Sequence, residues 1–160
     1  MRHCLHLFSR YRTYVLWGGV MFWNRTITLY NKHEDELTGV IKWYRHTLSD
    51  CFYKGTNNTV NVGGVQLQTD DTVVRIVEKP NYLPPYKWLQ LPNDEKNKAF
   101  TLKSGDLIFL GDITEEIDEY SKGKRSTDII QKYSAIGSMF IKSVNTNDFM
   151  PGAHYLVRGE

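Results

Sequence analysis

The chain has two cysteines in 160 residues, Cys4 and Cys51, and neither belongs to a C-x-x-C pair; Cys4, between His3 and His6, has no second cysteine near it in sequence. That scarcity argues against a zinc centre, which needs thiolates or imidazoles at fixed spacings. One disulfide could be drawn between them. The alternative is that Cys51, beside Phe52 and Tyr53 in a strand-like run, is a free thiol acting as a small buried hydrophobe. A free thiol fits folding in a reducing cytoplasm. Long apolar runs are missing too: the longest, residues 14–23, holds ten residues, where a spanning helix needs roughly 20. No membrane partner is expected.

An excess of either charge is also lacking. Twenty Lys and Arg stand against 18 Asp and Glu, a net of +2. The first 20 residues contain Arg2, Arg10 and Arg12 and no acid, so the net charge of 21–160 is −1. A basic surface for sequence-specific DNA binding is not indicated. Residues 1–20 admit two readings. In one they are an N-terminal arm able to pack on a neighbour. In the other the start lies at Met21, because codons for Trp17-Gly18-Gly19-Val20 can contain a purine-rich ribosome-binding sequence. No small-x-small cleavage site follows, so a secretory signal is disfavoured.

From Thr26 onward the chain consists of short runs rich in Val, Ile, Thr and aromatics, bounded by Gly, Asn, Asp or Pro. This is the pattern of successive strands. Strands are expected at 26–30, 40–46 and 49–54, the first two forming a hairpin around the acidic turn 33–39. A second hairpin is expected from 59–68 and 71–77, with 68–71 as its turn and Gly63-Gly64 as a bulge or a close backbone approach. Further strands are expected at 99–103, 107–113, 138–144 and 154–157, with 145–152 as a turn. One short helix, about residues 127–136, has Asp128 in its first turn and Gly137 as its stop. The fold class is therefore mainly β, a small β-barrel or β-sandwich with long loops, and 21–160 form a single domain.

Four of the five prolines, Pro80, Pro84, Pro85 and Pro92, fall within thirteen residues, which rules out regular sheet there. Tyr82, Tyr86, Trp88 and Leu91 in this loop need cover, supplied either by the domain itself or by a protein partner. An acidic run, Glu115, Glu116 and Glu119, is followed by Lys122, Lys124 and Arg125. These charges fit a solvated surface or a subunit interface in which the acidic edge of one copy meets the basic edge of the next.

No catalytic pattern is present in the sequence. There is no G-x-G-x-x-G and no Walker lysine motif, and His33 beside Glu34, Asp35 and Glu36 lacks the second histidine of a zinc protease. His46, Asp50 and Cys51 do not form a nucleophilic trio, since neighbouring strand residues point to opposite faces. Catalytic residues, metal ligands and cofactors are expected to be none, and the chain is not read as an enzyme.

The order of the segments Ile27-Thr28-Leu29-Tyr30-Asn31, Trp43-Tyr44-Arg45, Cys51-Phe52, Gln68-Thr69-Asp70, Val74-Arg75-Ile76, Phe100-Thr101-Leu102, 105–111, 141–145 and 154–159 carries a resemblance. It resembles an uncharacterised family encoded in the structural modules of tailed phages and prophages of Gram-positive hosts. The layout is also similar to head-closure proteins, the stoppers or "minor capsid" proteins of the virion neck. The resemblance covers nearly all of the chain from Met21 onward. It implies a ring of identical subunits between a portal-adaptor protein and a tail terminator or tail tube, with packaged DNA held in the lumen. The virion neck is then the location, with folding in the host cytoplasm. Under this reading the polar hairpin positions Asn57, Asn58, Asn61, Gln66, Gln68 and Asp70 face the channel, and Tyr82, Tyr86, Trp88 and Leu91 contact a partner. Tail terminator, capsid decoration protein and a non-virion carbohydrate-binding β-module are the alternatives.

Overall fold

In a computed structural model the described residues are 14–16, 19–21, 23–62, 65–148 and 153–160, with side chains described for 23–55, 71–148 and 153–160. Two short strands, β1 (Tyr14–Leu16) and β2 (Gly19–Met21), pair only with each other. The body comprises β3 (Arg25–Glu34), β4 (Ile41–Val62), β5 (Val65–Val77), helix α1 (Pro85–Leu89), β6 (Leu107–Leu110), helix α2 (Ser126–Lys132), β7 (Ser138–Asn147) and β8 (His154–Gly159). Its six strands form a closed barrel in the order β3-β4-β5-β8-β7-β6, with every pairing antiparallel. Closure leaves edges only where neighbouring strands differ in length.

Strand alternation sorts the side chains. Ile27 and Leu29 from β3, Leu48 and Cys51 from β4, Val74 and Ile76 from β5, Ile108 from β6, Met139 and Ile141 from β7, and Tyr155 and Val157 from β8 fill the interior. The intervening positions Tyr30 from β3 and Leu107 and Phe109 from β6 face outward, yet they are buried as well. A second apolar layer covers them, in which residues 111–137 cross the outside of the barrel and contribute Ile113, Ile117 and Ile129. Cys51 is a free, buried thiol, pushed up to about 12 by desolvation; Cys4 lies outside the described residues.

Several expected elements are corrected. The runs 40–46 and 49–54 are one strand, β4, bent at Asp50, whose φ of 57° is the one positive value for a non-glycine among the described residues. Asp tolerates that conformation better than most side chains, and the β3–β4 register shifts beside it, between Arg25 and Ile27. Residues 68–71 are not a turn: β5 runs straight through them, with Asp70 opposite Asn57 and Thr69 opposite Asn58. The described strands stop at Val62 and resume at Val65; the Gly63-Gly64 feature lies outside the described residues.

Residues 99–103 are not a strand. They are tied to the proline loop by a single parallel bridge, Tyr82↔Phe100, because Phe100 and Leu102 turn into the barrel core. β6 ends at Leu110, short of 113, where Gly111 at φ 96° redirects the chain outward. β7 continues to Asn147, through part of the expected turn. The predicted helix is shorter than 127–136: α2 ends at Lys132 and turns complete the connection to Gly137.

Candidate assembly surfaces

The proline loop folds back onto its own domain. Pro84 and Pro85 start α1 because a proline at the first helical position loses no intrahelical hydrogen bond. Trp88 on α1 is fully buried, donates from Nε1 to the Ala99 carbonyl at 2.8 Å, and meets Tyr44 and His33 edge-on at centroid distances of 5.6 and 6.1 Å. Lys96, also buried, lies over the Trp88 ring at 5.5 Å and donates to the carbonyls of Leu89 and Leu91. An ammonium there satisfies carbonyls that the end of a short helix leaves open. Tyr82 packs at a tilt on Tyr155 at 4.3 Å and meets Phe100 edge-on at 5.6 Å.

The self-covered alternative therefore describes this loop, and Trp88 is removed from the partner-contact set. Tyr82 and Leu91 are half-buried. Tyr86 is 62% exposed, and Leu89, which the sequence reading did not single out, is 48% exposed.

Two imidazoles line the same region. His46, nearly buried, has no partner at Nε2, and His33 has none at Nδ1. Burial holds His46 down at about 4, reinforced by Arg45 and opposed by a hydrogen bond to the Lys96 backbone. Burial and the nearby Lys96 ammonium lower His33.

Where the loop returns to β6, Asp106 is fully buried. It accepts from Asn31 Nδ2 (2.7 Å), Lys32 N (2.9 Å), Lys103 N (3.2 Å) and Lys103 Nζ (2.7 Å). Burial raises its carboxyl above the ordinary value against the pull of Lys103 and the donated N–H groups.

The outer crossing, 111–137, is anchored by polar groups of the barrel wall. The Thr28 hydroxyl donates to the Gly111 carbonyl and accepts from Ile113 N, both at 2.8 Å. The Tyr30 hydroxyl donates to the Glu115 carbonyl at 2.6 Å, and Arg45 bonds the Ile113 carbonyl and Asp112. Of the expected interface charges, two acids are engaged within the chain. The Glu115 carboxylate accepts from Lys132 and from the Tyr133 hydroxyl, which holds it down at about 2. Glu119 accepts from Trp43 Nε1 at 2.8 Å and from Ser126 N. Glu116, Lys122, Lys124 and Arg125 are exposed.

A cleft of about 770 Å³ opens beside this crossing, lined by residues 40–45, by Thr114, Glu116, Ile117, Asp118 and Tyr120, and by Asn97 and Tyr30. Six consecutive residues from one stretch of chain line it, which neither face of a strand does alone, since alternate side chains point to opposite faces. The cleft therefore reaches past the outward face of β4 to its edge, with the outer crossing on one side and Asn97 of the proline loop on the other. No motif marks it in the sequence, because an edge becomes open only where a neighbouring strand stops pairing.

The distal part of the β4–β5 hairpin extends past the barrel. β4 pairs with β3 only as far as Cys51, and β5 pairs with β8 only from Thr72. Beyond them, Thr56↔Asp71 to Val62↔Val65 form a two-stranded ribbon, about 20 Å long at ~3.3 Å per residue. Asn57, Asn58, Asn61, Gln66, Gln68 and Asp70 all lie in it; their side chains lie outside the described part. Among the described residues no group of three or more His, Cys, Asp or Glu is placed to hold a metal ion, and no helix is long and apolar enough to cross a membrane.

Residues 22–160 match the model of a family described as "Family of unknown function (DUF6751)". No curated protein matches the chain, and no solved structure does.

Proposed function

The chain belongs to the DUF6751 family, and we propose that it is a ring-forming structural protein of the tailed-phage neck, a head-closure connector that helps retain packaged DNA. The observation that carries this reading is the ribbon: a closed barrel is a rigid unit, and a two-stranded arm reaching about 20 Å beyond it is suited to contacts outside the subunit. The segment order quoted above, which resembles a family from phage structural modules, and the layout, which is similar to head-closure proteins, support the same reading.

In such a ring the polar ribbon positions Asn57, Asn58, Asn61, Gln66, Gln68 and Asp70 lie toward the lumen. A near-neutral body suits DNA passage, because each neutralised phosphate would add salt-dependent affinity and retard sliding. Tyr86 and Leu89 are the exposed apolar groups on the proline loop for a portal-adaptor or tail partner. Glu116, Lys122, Lys124 and Arg125 are free to face a neighbouring subunit.

Electron microscopy of the purified protein, alone and mixed with portal-capped heads, tests this. Rings that attach to heads are expected. Attachment to tails alone would move the assignment to a tail terminator, and a monomer that binds neither would overturn it.

A further inference from the structure

The strand β4 is used on two edges. Cys51 has Arg25 on one side and Ile76 on the other, so β3 and β5 lie on opposite edges of the strand, β3 along 41–51 and β5 along 51–62. Residues 41–50 therefore have no strand on the edge that β5 takes further along. Among the described residues no backbone–backbone hydrogen bond closes that edge. One outward group is taken, since Ile41 N donates to the Tyr120 hydroxyl at 2.9 Å. With Ile41 pointing outward, the backbone groups of Trp43, Arg45 and Thr47 point the same way. Residues 41–45 of this edge line the cleft.

The ribbon has the complementary deficiency. Among the described residues, 52–62 lack a strand on the β3 side and 65–70 lack one on the β8 side. A lone two-stranded ribbon is marginally stable, and a free strand edge is a template for further pairing. The lengths are compatible: 41–49 offer an edge of about 26 Å and 65–70 a rail of about 17 Å. The ribbon extends beyond its own barrel, so its rail can reach a neighbouring copy.

We propose that the cleft receives the distal ribbon, residues 56–62 and 65–71, of a second copy, which adds its rail to the open edge of β4 by strand addition. Donor and acceptor are different surfaces, so the contact is heterologous and repeats from copy to copy into a ring. Edge pairing occupies the rail and leaves the faces of the ribbon free, which preserves a lumen-facing role for its polar positions. The inference rests on the self-assembly part of the neck reading and not on a place in the virion.

The test uses two variants of the full chain. In one, residues 57–70 are replaced by Asn-Gly, which closes the hairpin at Thr56 and Asp71 with a two-residue turn and keeps the barrel pairings. In the other, Asn97→Trp and Thr114→Trp, at exposed positions on the two walls, fill the cleft. Sedimentation should show an oligomer for the unaltered chain and a monomer for each variant, each variant still unfolding in one cooperative urea transition. Mixing the variants should give a one-to-one dimer and nothing larger, because one supplies only a cleft and the other only a ribbon.

A monomeric unaltered chain, a shortened chain that assembles like the unaltered one, or two variants that do not pair would each overturn the proposal. Should the shortened chain fail to fold, the cleft-filled variant decides: an oligomer of unchanged size overturns it. Rings that persist without the ribbon and still cap heads would sink this interface and leave the neck reading standing. One-to-one pairing with no attachment to heads would do the reverse.

Discussion

The barrel has two covers, and they are held by different forces. The proline loop enters the interior: Phe100 and Leu102 are core residues, Trp88 is fully buried, and the charges it brings in, Lys96 and Asp106, are buried among hydrogen-bond partners. The outer crossing lies on the wall. Its three core isoleucines, Ile113, Ile117 and Ile129, are flanked by an exposed rim of ion pairs, Arg45–Asp112 and Lys132–Glu115. Buried groups are insulated from salt, whereas rim pairs are screened and contribute little. The loop is thus part of the fold's cooperative unit, and the crossing is a layer that can loosen on its own.

The largest test of this contrast is Trp88→Ala. Removing a fully buried indole should cost about 3–5 kcal/mol and lower the stability of the whole barrel in urea unfolding, because the cavity opens against Tyr44 and His33. Ile117→Ala should cost about 2 kcal/mol at the lower end for such truncations, with amide exchange faster in 111–137 and unchanged in β4 and β8. Equal loss of protection across both regions in the two variants would erase the distinction. Asp106→Ala comes next, at about 3 kcal/mol, because the Asn31 amide, the Lys32 and Lys103 backbone N–H groups and the Lys103 ammonium lose their common acceptor.

The third test is acid. His46 folds with its pKa held down at about 4, against 6.5 when unfolded. Between those values the unfolded chain binds the extra proton, so this stabilisation is complete above pH 6.5 and is lost as pH falls through 4. Its size is about 3 kcal/mol, from 1.36 kcal/mol per pH unit. His33, lowered in the same direction, adds to it. Chemical denaturation at pH 7 and pH 4 should show the loss, and His46→Leu should flatten it while lowering the pH 7 baseline. An acid limb unchanged by that substitution would place the proton uptake elsewhere.

Much of this was legible in the sequence, and the misses have physical causes. The alternation in 26–30 and the acidic turn after it announce the first hairpin, and the cluster of prolines announces an irregular, covered loop. Trp88 could not be told from Tyr86 by type: α1 places one inward and the other outward, and only the helix phase decides. Gln68-Thr69-Asp70-Asp71 has turn chemistry, but antiparallel pairing from Val65 onward holds it extended, so tertiary context overrides local preference. The cleft was illegible because it depends on where β5 stops pairing with β4, a property of register between strands far apart in the chain.

The smallest effect falls on the rim. Glu115 is held at about 2 by hydrogen bonds from Lys132 and Tyr133, against 4.5 when unfolded. A lowered carboxyl contributes stability that is present above pH 4.5 and lost as pH falls toward 2, below the window in which His46 acts. The Lys132 side chain is 59% exposed, so solvent and salt screen most of the pair and Glu115→Gln should cost well under about 1 kcal/mol in global unfolding. The Glu115 backbone carbonyl still accepts from the Tyr30 hydroxyl in the variant, so the crossing stays attached near its start. The change should therefore appear locally, as faster amide exchange in α2 and the turns after it at pH 7 and low salt, shrinking as salt is added. A global loss as large as that of Asp106→Ala, insensitive to salt, would mean that the crossing belongs to the same cooperative unit as the loop, and the two covers would no longer differ in kind.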